Sequence, residues 1–309
     1  MYYFFVNPAS RSGKGAAKWE AVKKYLDSKN ISYEVNFLQA DVSPRPVMEA
    51  ILAKEGEKTV SFILIGGDGT VNQCVNGIPD FDRVELSVIP TGSGNDFCRN
   101  KAIPHTLEEQ LDNIITKKNQ LLVDRGTIIY HMDNGTTKQR SFMVSTGLGY
   151  DAAICYMADR SSLKQKLNKL KLGKLVYVII GIKEIFDAKL TDMDITIDGN
   201  TKHYKDVFFI ATMNQPYEGG GVAMTPNASD CDEQLDFIIY SGTSKLRALC
   251  TIPLLYIKKH AGRPGVTLLT GKKITAVSTG SRIIHCDGES EDGCTEFEAK
   301  LDGKVKFIY

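Results

Sequence analysis

Three times in its first hundred residues the chain runs a short apolar segment into a polar loop that contains glycine. Tyr2 to Val6 leads into Asn7-Pro8-Ala9-Ser10-Arg11-Ser12-Gly13-Lys14-Gly15, Thr59 to Ile65 into Gly66-Gly67-Asp68-Gly69-Thr70, and Leu86 to Ile89 into Pro90-Thr91-Gly92-Ser93-Gly94-Asn95-Asp96. Helical patterns follow, over Ala16 to Lys29, Val71 to Gly77 and Thr106 to Lys117, and between the first two units Ser32 to Leu38 reads as extended and Pro46 opens a helix to about Lys54. Strand, loop and helix repeated in series predict an α/β domain with a parallel sheet. Glycines at the carboxyl end of such a strand let backbone N–H groups approach a phosphate, and the next helix N-terminus adds positive potential.

Beyond Lys117 the pattern changes to short, often alternating β-like runs: Gln120 to Ile129, Gln139 to Ser145, Asp194 to Ile197, Val207 to Met213, Gln234 to Tyr240, Lys273 to Ser278, Arg282 to Cys286 and Val305 to Tyr309. One helical insertion is expected near Leu163 to Lys189. A chain of 309 residues exceeds the usual size of one core, so two domains are expected, 1–124 α/β and 125–309 mainly antiparallel β.

Composition removes several function classes. With 38 Lys plus Arg against 37 Asp plus Glu the net charge is +1, which lacks the electrostatic footprint of a nucleic-acid binder. The cysteines Cys74, Cys98, Cys155, Cys231, Cys250, Cys286 and Cys294 are scattered, with no C-x-x-C pair and no clustered histidines. They read as reduced thiols of a cytoplasmic protein without a thiolate metal site. Neither Tyr2 to Val6 nor Leu175 to Ile182 has the length of a signal peptide core or a membrane span.

The glycine loops exclude two familiar nucleotide sites. Gly13-Lys14-Gly15 lacks the glycine five residues earlier and the hydroxyl after lysine that a Walker A loop needs, and Gly92-Ser93-Gly94 does not continue into a dinucleotide fingerprint. Asp68 is the informative residue of the second loop. A carboxylate beside anionic phosphate repels it, so Asp68 binds a ribose hydroxyl, a metal or a donor, or else it caps a helix. Asp287-Gly288-Glu289, taken alone, reads as a hairpin turn. Lys164, Lys166, Lys169, Lys171 and Lys174 punctuate Leu163, Leu167, Leu170, Leu172 and Leu175, a basic amphipathic stretch that suits either an anionic membrane surface or a solvated helix face.

Taken in order, the motifs resemble the diacylglycerol kinase catalytic-domain family, especially its soluble bacterial lipid kinases. The likeness rests on Asn7-Pro8 with Gly13 and Gly15, Gly66 to Thr70 with Asn76-Gly77, and Pro90 to Phe97. It continues through Val123-Asp124-Arg125-Gly126, Ser145 to Asp151, Asn214 with Gly219-Gly220-Gly221, Pro226 to Ser229 with Leu235-Asp236, and Asp287-Gly288-Glu289. The resemblance implies an N-terminal domain like that of phosphofructokinases and NAD kinases, a C-terminal β-sandwich-like domain, and an active site between them. It places ATP on Asn7, Gly13, Gly66, Gly67, Asp68, Gly69, Thr70, Asn72, Thr91, Gly92, Ser93, Gly94, Asn95 and Asp96. It makes Asp287 the general base for a lipid hydroxyl with Glu289 beside it, and Asp68 an acidic residue on the nucleotide side.

By the same likeness Ser229, Asp232 and Gln234 correspond to a structural Mg²⁺ site, with Asp124 acting through water. The chain departs from the family pattern at Glu233, where Asp-Gly is usual, at Gln73, where an acidic residue is common, and at Gln39, where a threonine is frequent. The implied reaction is transfer of the ATP γ-phosphoryl group to a lipid hydroxyl, diacylglycerol to phosphatidate first among several lipid alcohols. The implied partners are the lipid and an anionic membrane surface met peripherally, with no nucleic acid, and the family admits a homodimer. A sphingoid-base kinase, an NAD kinase and a non-catalytic lipid or nucleotide sensor remain as alternatives; an NAD kinase characteristically carries an Asn-Glu dipeptide, and this chain has none.

Overall fold

The computed structural model describes residues 1–160 and 173–309. They form two compact units: Met1–Arg125 with Asp230–Asp232 and Asp302–Tyr309, and Gly126–Ser229 with Glu233–Leu301. The first unit thus also takes in two short returns of the chain that lie beyond the contiguous limits 1–124 and 125–309. The basic stretch at Lys164, Lys166, Lys169 and Lys171 lies outside the described residues.

In the first unit β1 (Tyr2–Val6), β2 (Tyr33–Phe37), β3 (Val60–Gly66) and β4 (Val84–Pro90) pair in parallel in the order β2–β1–β3–β4. The chain end adds a fifth parallel partner, Lys306 and Phe307 beside Glu85 and Leu86. Between them run α1 (Ser10–Ser28), α2 (Arg45–Glu55), α3 (Asp68–Val75), α4 (Asp96–Arg99) and α5 (Leu107–Thr116). Both faces of this sheet are covered, which is why its strands read as unbroken apolar runs. On one face Phe4, Val6, Ile63 and Ile65 pack against Trp19, Val22 and Leu26 of α1 and Leu111 and Ile114 of α5. On the other Phe5 meets Phe62 edge-on at 5.1 Å.

The strand order reverses between β1 and β3, and a doubly wound sheet opens a crevice at the carboxyl ends of the strands on either side of such a reversal. The loop after β1 uses left-handed backbone at Arg11, Ser12 and Gly13, with φ of 45°, 58° and 92°. The regular part of α1 therefore begins beyond Gly13, close to the Ala16 start that the sequence predicts.

The second unit contains β6 (Thr137–Phe142), β7 (Ser145–Gly149), α6 (Tyr150–Arg160), α7 (Gly173–Asp187), β8 (Thr191–Ile197), β9 (Asn200–Val207), β10 (Phe209–Met213), β11 (Tyr217–Glu218), β12 (Val222–Ala223), β13 (Leu235–Tyr240), α8 (Lys245–Thr251), β14 (Val266–Gly271) and β15 (Lys273–Cys286). Two strands, β5 (Gln120–Met132) and β16 (Glu289–Ile308), begin or end in the other unit. The antiparallel order is β14–β13–β10–β7–β15–β16. Alternation divides each strand between two cores: Ile210, Phe237 and Ile239 join Leu148 and Ile284 in one, while Phe209, Ala211, Ile238 and Tyr240 join Tyr150, Ile185 and Leu255 in the other.

Two helices depart from the sequence expectation. α6 leaves β7 directly through Gly149, whose φ of 113° turns the chain, and its first residues Tyr150, Asp151 and Ala152 are all buried, so it presents no single apolar stripe. α8 is only seven residues long, too short to show a period. Among the described residues no helix is long and apolar enough to cross a membrane.

Candidate active site

The three glycine loops meet in the first unit. Asn7, at the end of β1, donates from Nδ2 to Thr70 Oγ1 at 3.1 Å, and the Ser10 and Thr91 hydroxyls share a hydrogen bond of 2.7 Å. Thr91 N–H donates to the Gly66 carbonyl at 2.8 Å. Backbone packs directly on backbone here. A Cβ on Gly67 would stand 2.8 Å from Gly92 Cα, and one on Gly92 would stand 2.6 Å from both Gly67 Cα and Asn95 Oδ1. On Gly15 a Cβ would fall 1.9 Å from the Asn7 carbonyl oxygen, and on Gly66 it would meet the Thr70 side chain at 2.2 Å. Glycine is thus required by close approach at Gly67 and Gly92, the role that a phosphate-binding junction assigns to it.

Asp68 and Asp96 hold these loops together. Asp68 Oδ1 accepts from Phe97 N–H at 3.1 Å, so its carboxylate caps α4 rather than its own helix. Asp96 is buried and accepts from Arg99 Nε at 2.9 Å, while Arg99 Nη2 donates to the Gly94 carbonyl at 2.8 Å. Asn95 takes a left-handed φ of 50°, donates from Nδ2 to the Gly92 carbonyl at 3.2 Å, and keeps a buried Oδ1 with no hydrogen-bond partner. Asn72 is buried in α3, and Gly69 and Ser93 are the exposed members of their loops. Gln73, one of the family departures, donates to the carbonyls of Gln39 at 2.9 Å and Val42 at 2.7 Å, so two of the three departures occupy one contact.

Beside these loops lies a cavity of about 430 Å³ lined by Arg11, Lys14, Ala17, Lys18, Ala21, Pro90 and Thr91. Its three cations come from one loop and one helix face, Lys14 and Lys18 standing four residues apart. The sequence reading did not single them out, although all three lie in or just after the first glycine loop.

The residues matched to the Mg²⁺ site occupy a turn and a strand start. Asp124 is buried, its N–H donates to the Asp230 carbonyl at 2.7 Å, and its Oδ1 stands 3.7 Å from Lys304 Nζ. Ser229 is partly buried, whereas Asp232 and Gln234 are exposed. Glu233, in the place of the usual glycine, adopts φ of 61°. The turn thus takes the left-handed backbone that glycine adopts freely, at a strain of roughly 1–2 kcal/mol for a residue with a Cβ. The donors are oxygens, the kind Mg²⁺ takes. A carboxylate not singled out by the sequence, Asp230, is the deeply buried one at this turn, paired to Lys101 Nζ at 2.6 Å with side chains 5% and 2% exposed. Lys101 also stands 4.0 Å from the Phe97 ring.

In the second unit Asp287 and Gly288 form the two-residue turn between β15 and β16, with φ of 49° and 90°. Positive φ at both positions is the signature of the hairpin turn that Asp-Gly favours. The turn reading and the catalytic reading therefore concern the same geometry. Asp287 Oδ2 accepts from Met143 N–H at 2.9 Å, and Oδ1 accepts from Val144 N–H at 2.9 Å and Ser145 N–H at 3.0 Å. Asp287 N–H in turn donates to the Ser145 carbonyl at 2.8 Å. Glu289 opens β16 and is exposed.

Around this turn stands a buried polar cluster. His285 Nε2 is 3.2 Å from Asp151 Oδ2 and 3.9 Å from Glu218 Oε2, and Glu218 Oε2 also accepts from Ser145 Oγ at 2.7 Å. Gly147 makes room for it, since a Cβ there would fall 2.0 Å from Asp151 Oδ2. Burial by itself would lower the His285 pKa; the hydrogen bond and charge of Asp151, with the charges of Glu218 and Asp287, outweigh it and hold the ring at about 9. Arg282 is buried nearby, its guanidinium spent on Thr191 Oγ1 and the carbonyls of Val207 and Phe208, and burial lowers it to about 10. By distance alone Asp151, Glu218 and His285 could hold a metal ion. The ring's other nitrogen, Nδ1, faces the N–H of Gly288 at 3.3 Å, whereas a ligating histidine directs its second nitrogen as a donor at an acceptor. Short of long-range contacts, no sequence signal marks His285 or Glu218; Asp151 lies within the Ser145 to Asp151 motif.

A parallel sheet with glycine-bordered strand-to-helix junctions, followed by an antiparallel β unit, defines a two-unit architecture of α/β and β parts. Residues 1–128 match the family model of the diacylglycerol kinase catalytic domain, and residues 143–299 that of the YegS C-terminal NAD kinase beta sandwich-like domain. The chain belongs to the diacylglycerol kinase catalytic-domain family. YtlR of Bacillus subtilis (strain 168), a candidate lipid kinase by its own name, is 27% identical over 297 residues, 93% of each chain. The diacylglycerol kinase of the same organism is 29% identical over 230 residues, 74% of this chain and 70% of that one. A crystal structure of a candidate diacylglycerol kinase from Bacillus anthracis str. Sterne superposes with a TM-score of 0.73 at 21% identity, covering 100% of this chain and 94% of the other. The ATP complex of an NAD kinase from Archaeoglobus fulgidus gives 0.54 at 14% identity, with 100% and 94% covered. At those identities the two structures speak for the fold alone.

Proposed function

We propose that this protein is an ATP-dependent lipid kinase that transfers the γ-phosphoryl group to a lipid hydroxyl, diacylglycerol being converted to phosphatidate. The observation that carries the reading is the junction of the three loops, where Gly67 and Gly92 touch through backbone, beside the cavity bordered by Arg11, Lys14 and Lys18. Phosphoryl transfer asks a protein mainly for positioning and for neutralisation of charge on the transferred group. Backbone N–H groups of Gly67 to Gly69 and Gly92 to Asn95 supply the first, and the three cations supply the second. The orphaned acceptor Asn95 Oδ1 suits a hydroxyl or amino donor of the nucleotide. A structural Mg²⁺ would be held by Ser229, Asp232 and Gln234, with Asp124 acting through water.

In this reading Asp287, its carboxylate fixed by three backbone N–H groups, takes the proton from the attacking lipid hydroxyl, and Glu289 stands beside it. The protein works at the surface of an anionic membrane from the cytoplasmic side and binds no nucleic acid. The test is transfer of labelled γ-phosphate from ATP to a panel of lipid alcohols in mixed micelles with Mg²⁺, NAD and a sphingoid base included. Labelled phosphatidate supports the reading. Label on NAD or the sphingoid base alone would replace the acceptor, and nucleotide binding with no labelled product would make the protein a sensor.

A further inference from the structure

His285 is buried, titratable and unused by the chemistry above, yet it touches the turn on which that chemistry depends. Its Nδ1 accepts the N–H of Gly288 at 3.3 Å, the residue after Asp287, and its Nε2 lies 3.2 Å from Asp151 Oδ2. From the other side Ser145 holds Asp287 twice through its backbone, and its hydroxyl donates to Glu218 at 2.7 Å. Glu218 in turn lies 3.9 Å from the ring. The Asp287-Gly288 turn is thus gripped from both ends by one buried network of three elements.

We infer that His285 is a positioning residue: its neutral ring, oriented by Asp151, fixes the Asp287-Gly288 turn through the Gly288 N–H. An imidazole accepts at Nδ1 only when that nitrogen carries no proton, and then Nε2–H is the donor to Asp151. The imidazolium would place Nδ1–H against the Gly288 N–H, donor against donor. The Gly288 bond and ring protonation are therefore mutually exclusive. The groups facing the ring are Asp151 of α6, Glu218 of β11 and Asp287 of the turn, with Arg282 of the same strand acting on Asp151. Their carboxylates favour the charged ring, so the pinned turn gains population as pH rises toward about 9. The inference rests on Asp287 as the base of the proposed reaction, but the Gly288 link can be read without any reaction.

Two substitutions separate the ring's two contacts. His285→Asn keeps an acceptor near the Nδ1 position that does not titrate, and His285→Gln keeps a donor near the Nε2 position for Asp151 but offers Gly288 nothing. Expected for the wild type is a kcat that climbs about 75-fold from pH 7 to 9.5, as the neutral fraction of a ring titrating at about 9 does, with the KM for ATP unchanged. His285→Asn should lose that climb, and His285→Gln should stay low at every pH. Independently of activity, NMR of the uniformly ¹⁵N-labelled wild type from pH 6 to 10 should show the Gly288 amide proton shifting with the same midpoint as the His285 ring nitrogens. A Gly288 amide that ignores the ring's titration overturns the inference, and so do identical kcat profiles for the two variants. If the wild type phosphorylates no lipid, the kinase reading fails, and the NMR titration alone still decides the Gly288 link.

Discussion

The glycine loops of the first unit and the Asp287 turn of the second carry their chemistry by opposite means. In the loops the decisive feature is the missing side chain: Gly67 and Gly92 approach until a Cβ on either would stand 2.8 Å or 2.6 Å from the other's Cα. In the turn the decisive feature is side chains packed out of water, Asp287 on three amides and His285 between two carboxylates. A backbone site is specified locally, within a few residues of one motif. A side-chain network is specified by contacts between residues that lie far apart in the chain, such as Ser145, Glu218 and His285.

That contrast can be broken most sharply at Gly92. Gly92→Ala should raise the dissociation constant for ATP about 100-fold or more, because a displacement of order 1 Å is enough to lose positioning; calorimetry with the folded variant reads it, and an unchanged constant would remove this loop from the nucleotide. The next largest effect is one of stability. Lys101→Met strands the Asp230 carboxylate, 5% exposed, without its partner, and should cost about 3–5 kcal/mol in urea unfolding.

The His285 network makes a pH prediction of defined sign. Its folded-state pKa, about 9, lies above the ordinary 6.5, so the folded state binds the proton more tightly than the unfolded chain. The stabilisation is complete below pH 6.5 and is lost as pH climbs through about 9. Thermal melts across that window should fall for the wild type and flatten for His285→Gln. The smallest effect concerns Glu233, whose φ of 61° suits glycine. Glu233→Gly should stabilise the fold by roughly 1 kcal/mol, and a destabilised variant would mean that the side chain contributes more than its strain costs.

The same contrast explains what was legible in the sequence. The three loops, their strands and the parallel sheet could be read because glycine, proline and apolar runs act locally, and the order of motifs carried the family as well. Asp287-Gly288 was legible as a turn from two residues. Its partners were not: His285 has an ordinary strand position, Glu218 lies in a strand of only two residues, and only folding brings them to Asp151. The returns at Asp230–Asp232 and Asp302–Tyr309 escaped for a related reason. Lys101 and Asp230 are 129 residues apart, and neither lies in an amphipathic pattern. Arg11, Lys14 and Lys18 were visible as charges, but the cavity they border depends on Pro90 and Thr91 from another strand.

The central claim is a division of labour, with the loops holding ATP and Asp287 serving the lipid hydroxyl. Its most direct test measures ATP binding and single-turnover phosphate transfer to diacylglycerol side by side for the wild type and Asp287→Asn. The account predicts an ATP dissociation constant within about threefold of wild type together with a transfer rate lowered about 100-fold or more. Transfer at the wild-type rate, or loss of ATP binding along with transfer, would contradict it.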